Sequence, residues 1–143
     1  MKKILIATDG SDESRQAVDF GLELADEQGA HVVLVHVAPG VDVLPTSGFG
    51  MTGAVPHELS DHDWSPLTDA RAVAEERGVN VRTEMLRGEI VDEIVAYADT
   101  IDADLIVVGS RGIAEVAGSP FGSVSRGVLH EAPRPVLVVR HAL

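Results

Sequence analysis

Asp104-Leu105-Ile106-Val107-Val108-Gly109-Ser110-Arg111-Gly112, then nine residues, then Gly122-Ser123-Val124-Ser125, is the stretch that decides how this chain is read. Leu105 to Val108 is a short aliphatic run, which suits a strand buried on both faces. Gly109 ends it. Gly109 and Gly112 carry no Cβ, so the backbone there can turn sharply and approach a ligand closely. Gly122-Ser123 opens a helical pattern, with Phe121, Val124 and Val128 at three- and four-residue spacing. A helix start offers unpaired N–H groups and about half a positive charge, which attract anions. Strand, glycine turn, spacer and helix start together read as a phosphate cradle. The pattern is not a P-loop, which needs Gly-Lys-Ser/Thr. Nor is it the Gly-x-Gly-x-x-Gly dinucleotide fingerprint between strand and helix.

The rest of the chain alternates strand and helix. Lys3 to Thr8 reads as a strand. Asp9-Gly10-Ser11 is a turn in which Ser11 caps the next helix, with Asp12 and Glu13 in its first turn. Ala17, Val18, Phe20, Leu22, Leu24 and Ala25 form its apolar stripe, and Gly29 stops it. Val32 to Val37 is the second strand. Ala38 to about Ser65 has no clear period and holds Pro39, Pro45, Pro56 and four glycines. A connection so long is functional or disordered. Ser65-Pro66 reads as the start of a second helix that runs to about Arg77. Val79 to Leu86 is a third strand, and Ile90 to Ile101 a third helix. Leu105 to Val108, Val124 to Glu131 and Val136 to Val139 complete five strands and four helices. This alternation implies right-handed crossovers and a parallel sheet.

The chain has 143 residues, the size of one domain, expected to span 1–143. Aromatic residues are 3% of the composition and the formal net charge is −12, which together argue against binding a polyanion such as a nucleic acid. Cysteine is absent, so thiol catalysis and zinc-thiolate sites are excluded. No run is long and apolar enough for a membrane helix and no signal peptide is visible, so the expected location is cytoplasmic. Lysine occurs only at Lys2 and Lys3 against 23 acidic residues. Such a bias suits a protein kept soluble in high salt, where the Debye length falls to about 3 Å at 1 M; an ordinary acidic protein is the other reading.

Gly109-x2-Gly112-x9-Gly122-Ser123, with Thr8-Asp9-Gly10-Ser11 and the closing Pro135-Val136-Leu137-Val138-Val139 strand, resembles the nucleotide-binding branch of the universal stress protein family. The resemblance covers nearly the whole chain. It implies a Rossmann-like, three-layer α/β domain related to adenine nucleotide alpha hydrolases, with a five-stranded parallel sheet in the order 3-2-1-4-5. In that order the loops after strands one and four meet at the switch point where ligands bind. By the same resemblance, Asp9 and Val37 would contact adenine and ribose. Val108 and Gly109 would line the ribose, and Gly112, Gly122, Ser123 and Val124 would hold phosphates. The implied ligand is ATP or AMP together with Mg²⁺ bridging the phosphates, and Arg111 or Arg126 could add charge-assisted bonds. Pro120 departs from the family pattern in the spacer.

The function this implies is an ATP-binding sensor or regulator in the stress response. Hydrolysis, if any, is expected to be slow, because no base or water-positioning residue is evident. The alternatives are a dimeric scaffold of the same fold without nucleotide, and an adenylyl-transferring enzyme of the related hydrolase-like group. No catalytic residue and no resident metal site is assigned. Asp9 reads as a capping or ribose residue and not as a base. His57 and His62, with Asp61 and Asp63, are metal ligands only on a minor reading. His36 reads as a packed or interface histidine, and Trp64 as an anchor for the long loop. The last strand is an apolar edge, so a homodimer through it is expected.

Overall fold

The computed structural model describes residues 1–45, 52–110 and 122–140. Gly112, Arg111, Pro120 and Phe121 lie outside the described residues. The elements are β1 (Lys3–Ala7), α1 (Asp12–Gln28), β2 (His31–Ala38), β3 (Val41–Pro45), β4 (Thr52–Pro56), α2 (Asp61–Glu76), β5 (Val81–Arg87), α3 (Ile90–Thr100), β6 (Leu105–Gly109), α4 (Ser123–Glu131) and β7 (Val136–Val139).

Five strands form one sheet in the order β5-β2-β1-β6-β7, and every neighbouring pair is parallel. Numbered among themselves, these five strands run 3-2-1-4-5. The labels shift because β3 and β4 pair with each other as a separate antiparallel hairpin. β1 is the middle strand, and Ile4, Leu5 and Ile6 are fully buried. Side chains alternate across a strand, so the three residues feed two cores. Ile4 and Ile6 join Ala17, Val18, Leu22, Leu67 and Ala70 from α1 and α2. Leu5 joins Ile94, Ala98 and Val128 from α3 and α4. Each fully buried Leu or Ile contributes about 1.5–3 kcal/mol, and both faces of the sheet are covered.

α1 begins as its sequence indicates. The Ser11 hydroxyl accepts from the Ser14 N–H, and Gly29 ends the helix in the left-handed conformation at φ 64°. The stripe is centred on Ser14, Ala17, Val18, Gly21, Leu22 and Ala25. Phe20 falls beside it and is 48% exposed, which corrects its place in the core. Gly21 explains the centring: a Cβ there would sit 2.5 Å from the Ile6 side chain.

Two further expectations are corrected. The stretch after β2 is not irregular throughout, since Val41–Pro45 and Thr52–Pro56 form a hairpin. Its β-branched Val41, Val43 and Val55 favour strand geometry. α2 starts at Asp61, not at Ser65, and holds Pro66 inside. Pro66 cannot donate to the carbonyl of His62 one turn back. The Ser65 hydroxyl donates to that carbonyl instead, at 3.0 Å. The helix start is set earlier, where the Asp63 carboxylate accepts the Ser60 N–H at 2.9 Å.

Candidate functional site

At the carboxyl edge of the sheet, β1, β2 and β6 end together against the starts of α3 and α4. They leave an open cleft enclosing about 570 Å³ of empty space, its mouth included. It lies where strand order reverses, with β1 leading towards β2 and β5 and β6 leading towards β7. Asp9, Val37, Val108, Gly109, Gly122, Ser123 and Val124 all line it. These are the sequence-selected residues save Gly112, which lies outside the described residues.

The turn after β1 forms one wall. The Thr8 N–H donates to the Val35 carbonyl at 2.9 Å, which fixes the turn to the end of β2. Asp9 Oδ1 accepts the Ser11 N–H at 2.9 Å, the local bond that makes Asp a turn former. Thr8 Oγ1 accepts the Gly10 N–H at 3.2 Å and lies 3.1 Å from the buried Ser14 hydroxyl. Ser14 donates to the Ser11 carbonyl at 3.0 Å. Gly10 adopts φ 83°, a conformation that costs glycine little. His36 Nδ1 lies 2.9 Å from the Thr8 carbonyl. A carbonyl only accepts, so Nδ1 carries the proton, and His36 is a positioning contact for this turn, in line with a packed histidine.

The opposite wall is the start of α4. Gly122 is its extended N-cap residue and, being glycine, has no side chain of its own to cap the helix. The first turn of a helix has N–H groups without intrahelical partners. Here they belong to the segment that lines the cleft. Two bonds to one carbonyl hold this wall to β6. The Gly122 N–H and the Ser125 hydroxyl both donate to the Ser110 carbonyl, the latter at 2.9 Å. Ser125 is 1% exposed and also lies 3.0 Å from the Gly122 carbonyl. Ile90 and Ile94 of α3, with Val35, Val37 and Val124, supply an apolar lining. Chemically, the cleft offers apolar side chains at one part and helix-start N–H groups with the Ser123 hydroxyl at another. Arg126 on α4 is exposed.

Gly109 lines the cleft and also has a packing role. A Cβ there would lie 2.9 Å from the Glu13 carbonyl oxygen and 3.1 Å from the Ser14 nitrogen. Its absence lets the end of β6 pack on the backbone of α1's first turn. Ser125, Ser14, Ile90 and Ile94 were not singled out by the sequence as cleft residues. The isoleucines read as core stripe; Ser125 closes the Gly122-Ser123-Val124-Ser125 motif, which is the signal that could have found it.

The histidine cluster lies elsewhere. His57 sits between Asp42 and Asp63, with Nδ1 2.8 Å from Asp42 Oδ1 and Nε2 2.9 Å from Asp63 Oδ2. Among the described residues no group of His, Asp and Glu is arranged to hold a metal ion. Trp64 is 42% exposed and so does not bury its ring as an anchor. No helix among the described residues is long and apolar enough to cross a membrane.

Comparison with known proteins bears on this geometry. The family model for the universal stress protein family matches residues 1–140. Universal stress protein MJ0531 of Methanocaldococcus jannaschii is 39% identical over 142 residues, 97% of this chain and 82% of that protein. A crystal structure of a universal stress protein in complex with cAMP superposes with TM-score 0.72 at 27% identity, over 96% of this chain and 95% of that one. The universal stress protein of Archaeoglobus fulgidus in complex with dAMP superposes with TM-score 0.68 at 28% identity, over 97% and 98%. A full-length family match and a relative of this identity leave one conclusion: the chain belongs to the universal stress protein family.

Proposed function

We propose that this chain is a stress-response regulator that binds an adenine nucleotide in the cleft at the carboxyl edge of the sheet. The observation that carries the reading is the convergence of Asp9, Val37, Val108, Gly109, Gly122, Ser123 and Val124, from four separate parts of the chain, on one cleft. Apolar Ile90, Ile94 and Val37 suit the faces of a base, and Asp9 stands at the ribose end. The α4 start and Ser123 suit phosphate, by hydrogen bonds to N–H groups and by the helix dipole. This local field serves an anion despite a net charge of −12. Gly112 belongs to the phosphate set by resemblance. The family structures with cAMP and dAMP support an adenine ligand. ATP with Mg²⁺ is the ligand we favour, with hydrolysis slow at most, in a cytoplasmic protein acting as one domain over residues 1–143.

Calorimetric titration with ATP, AMP, dAMP and cAMP, with and without Mg²⁺, tests this. The expected result is saturable binding that Gly122→Val weakens by at least about tenfold, or about 1.4 kcal/mol, because the side chain crowds the cradle. A folded wild-type protein that binds none of the four overturns the reading and leaves the scaffold function.

A further inference from the structure

The β3–β4 hairpin stands apart from both cores. Among the described residues, none of its side chains is buried in either, and Val41, Val43, Leu44 and Val55 are 55%, 67%, 48% and 39% exposed. An isolated two-stranded hairpin is marginal in water, so its position depends on how its base is fastened. The main-chain fastenings are the Gly88 N–H on the Ala38 carbonyl at 3.0 Å and the His57 N–H on the Gly40 carbonyl at 3.1 Å. Two side chains also fasten it: Arg87 of β5, whose guanidinium donates to the His57 carbonyl, and His57 itself, which follows β4 directly and reaches a carboxylate with each ring nitrogen. Asp42 belongs to β3 and Asp63 to the first turn of α2.

We propose that His57 is a proton-operated clasp: as an imidazolium it joins β3 to α2 through Asp42 and Asp63, and on losing its Nδ1 proton it releases the hairpin.

The argument is one of donors and acceptors. Ionised carboxylates only accept, and a neutral imidazole has one N–H. With Nδ1 2.8 Å from Asp42 and Nε2 2.9 Å from Asp63, both contacts are hydrogen bonds only when both nitrogens carry protons. The surroundings agree. The bonds to Asp63 and then Asp42 raise the His57 value above that of an ordinary imidazole. The Ser60 N–H and His57 hold the Asp63 carboxyl below the usual carboxylate range. Among the described residues, the other charged neighbour in contact is Arg87 of β5, whose guanidinium donates to the His57 carbonyl. Glu58, Asp61 and His62 are adjacent in the chain and exposed.

Which contact opens is also determined. Asp63 is 10% exposed at its side chain and is tied to the Ser60 N–H, whereas Asp42 is 46% exposed. Water can solvate Asp42 at little cost. Neutral His57 therefore keeps its Nε2 proton on Asp63 and turns a Nδ1 lone pair towards the Asp42 carboxylate, two acceptors that repel. Because the folded value of His57 is raised, the clasp is fully closed below the ordinary imidazole value and lost as pH rises through the higher one. Because that of Asp63 is lowered, its share holds above the usual carboxylate range and is lost as pH falls through the lowered value. The clasp is shut between these limits and opens on the alkaline side.

The test uses the full-length, ¹⁵N-labelled protein and does not depend on the nucleotide reading. Ring-nitrogen NMR reports the protonation of each His57 nitrogen, and amide exchange reports opening of residues 41–45 and 52–56. The expected result is a His57 that is doubly protonated below the ordinary imidazole value, titrates above that value and ends as the Nε2–H tautomer. Over the same step, the hairpin's opening equilibrium rises by up to about tenfold for each pH unit by which His57 is raised, after correction for intrinsic exchange. Asp42→Asn should make hairpin exchange independent of that step while leaving the rest of the chain protected. A His57 that is already a single neutral tautomer below the ordinary imidazole value, with the hairpin still protected, overturns the proposal. So does hairpin exchange that stays flat through the His57 titration.

Discussion

Gly109 separates two reasons for a glycine that look alike in a sequence. Its neighbours are the Glu13 carbonyl and the Ser14 nitrogen, main-chain atoms of α1 that cannot swing aside as a side-chain end could. Gly109→Ala should therefore cost about 1–3 kcal/mol, the range for overpacking a tight contact, seen as a lower urea midpoint at unchanged m-value. A loss within the ±0.5 kcal/mol of an ordinary surface change would mean that the end of β6 is free to move from α1. Gly127 has the same function in α4, where a Cβ would meet the Val91 side chain at 2.6 Å. A glycine inside a helix costs about 1 kcal/mol relative to alanine; here the missing Cβ lets α4 lie close on α3.

Elements in the main sheet were legible because each carries a pattern that burial imposes. Ile4-Leu5-Ile6 and Leu105 to Val108 are continuous apolar runs because both faces of the middle strands are covered. The hairpin lacks that imprint. Among the described residues it contributes nothing to either core, so its residues keep no burial period, and only the Val41-Asp42-Val43 alternation hinted at it. The start of α2 was obscured by Pro66, which suits a first turn; the real signal was Ser60 followed three residues later by Asp63. The cleft was legible as loops, whereas Ile90 and Ile94 were not, because a core stripe and a cleft lining share one helical period. The amino-terminal edge of the sheet yields a further prediction. Asp104, just before β6, accepts the Lys2 and Lys3 N–H groups at 2.8 and 2.9 Å, which fixes the entry to β1. Those bonds, Lys2 first, hold its carboxyl below the usual carboxylate range. A lowered value means stability that is present above that range and is lost as pH falls through it. Asp104→Asn should lower Tm at neutral pH, and the gap from wild type should close in strong acid. A gap that does not change with pH would show that the charge plays no part.

For the whole molecule, we expect association through β7 to be governed by charge. β7 is an edge of the sheet and its four residues are only half-buried. Phe20 and Leu129, on the two helices that pack against it, are exposed. An apolar edge with free main-chain groups is a pairing site, and a second copy pairing there would cover it. Two copies each carrying −12 repel, however. The Debye length is about 30 Å at 0.01 M salt and about 3 Å at 1 M, so the dimer should dissociate at low salt and form at high salt. The register supplies a precise probe. Pro135 and Val139 turn their carbonyls to the amides of Ile106 in β6 and of Ser110 just after it. Residues alternate along a parallel strand, so Val136 and Val138 direct their N–H and C=O groups outwards. Val138→Pro removes one outward N–H without touching the β6 ladder, a place where an edge strand tolerates proline. Sedimentation should then find wild type dimeric at 1 M salt and the variant monomeric, with matching circular dichroism. A folded Val138→Pro that is still dimeric would place the contact elsewhere, and the exposed Phe20 and Leu129 would be the next surface to change.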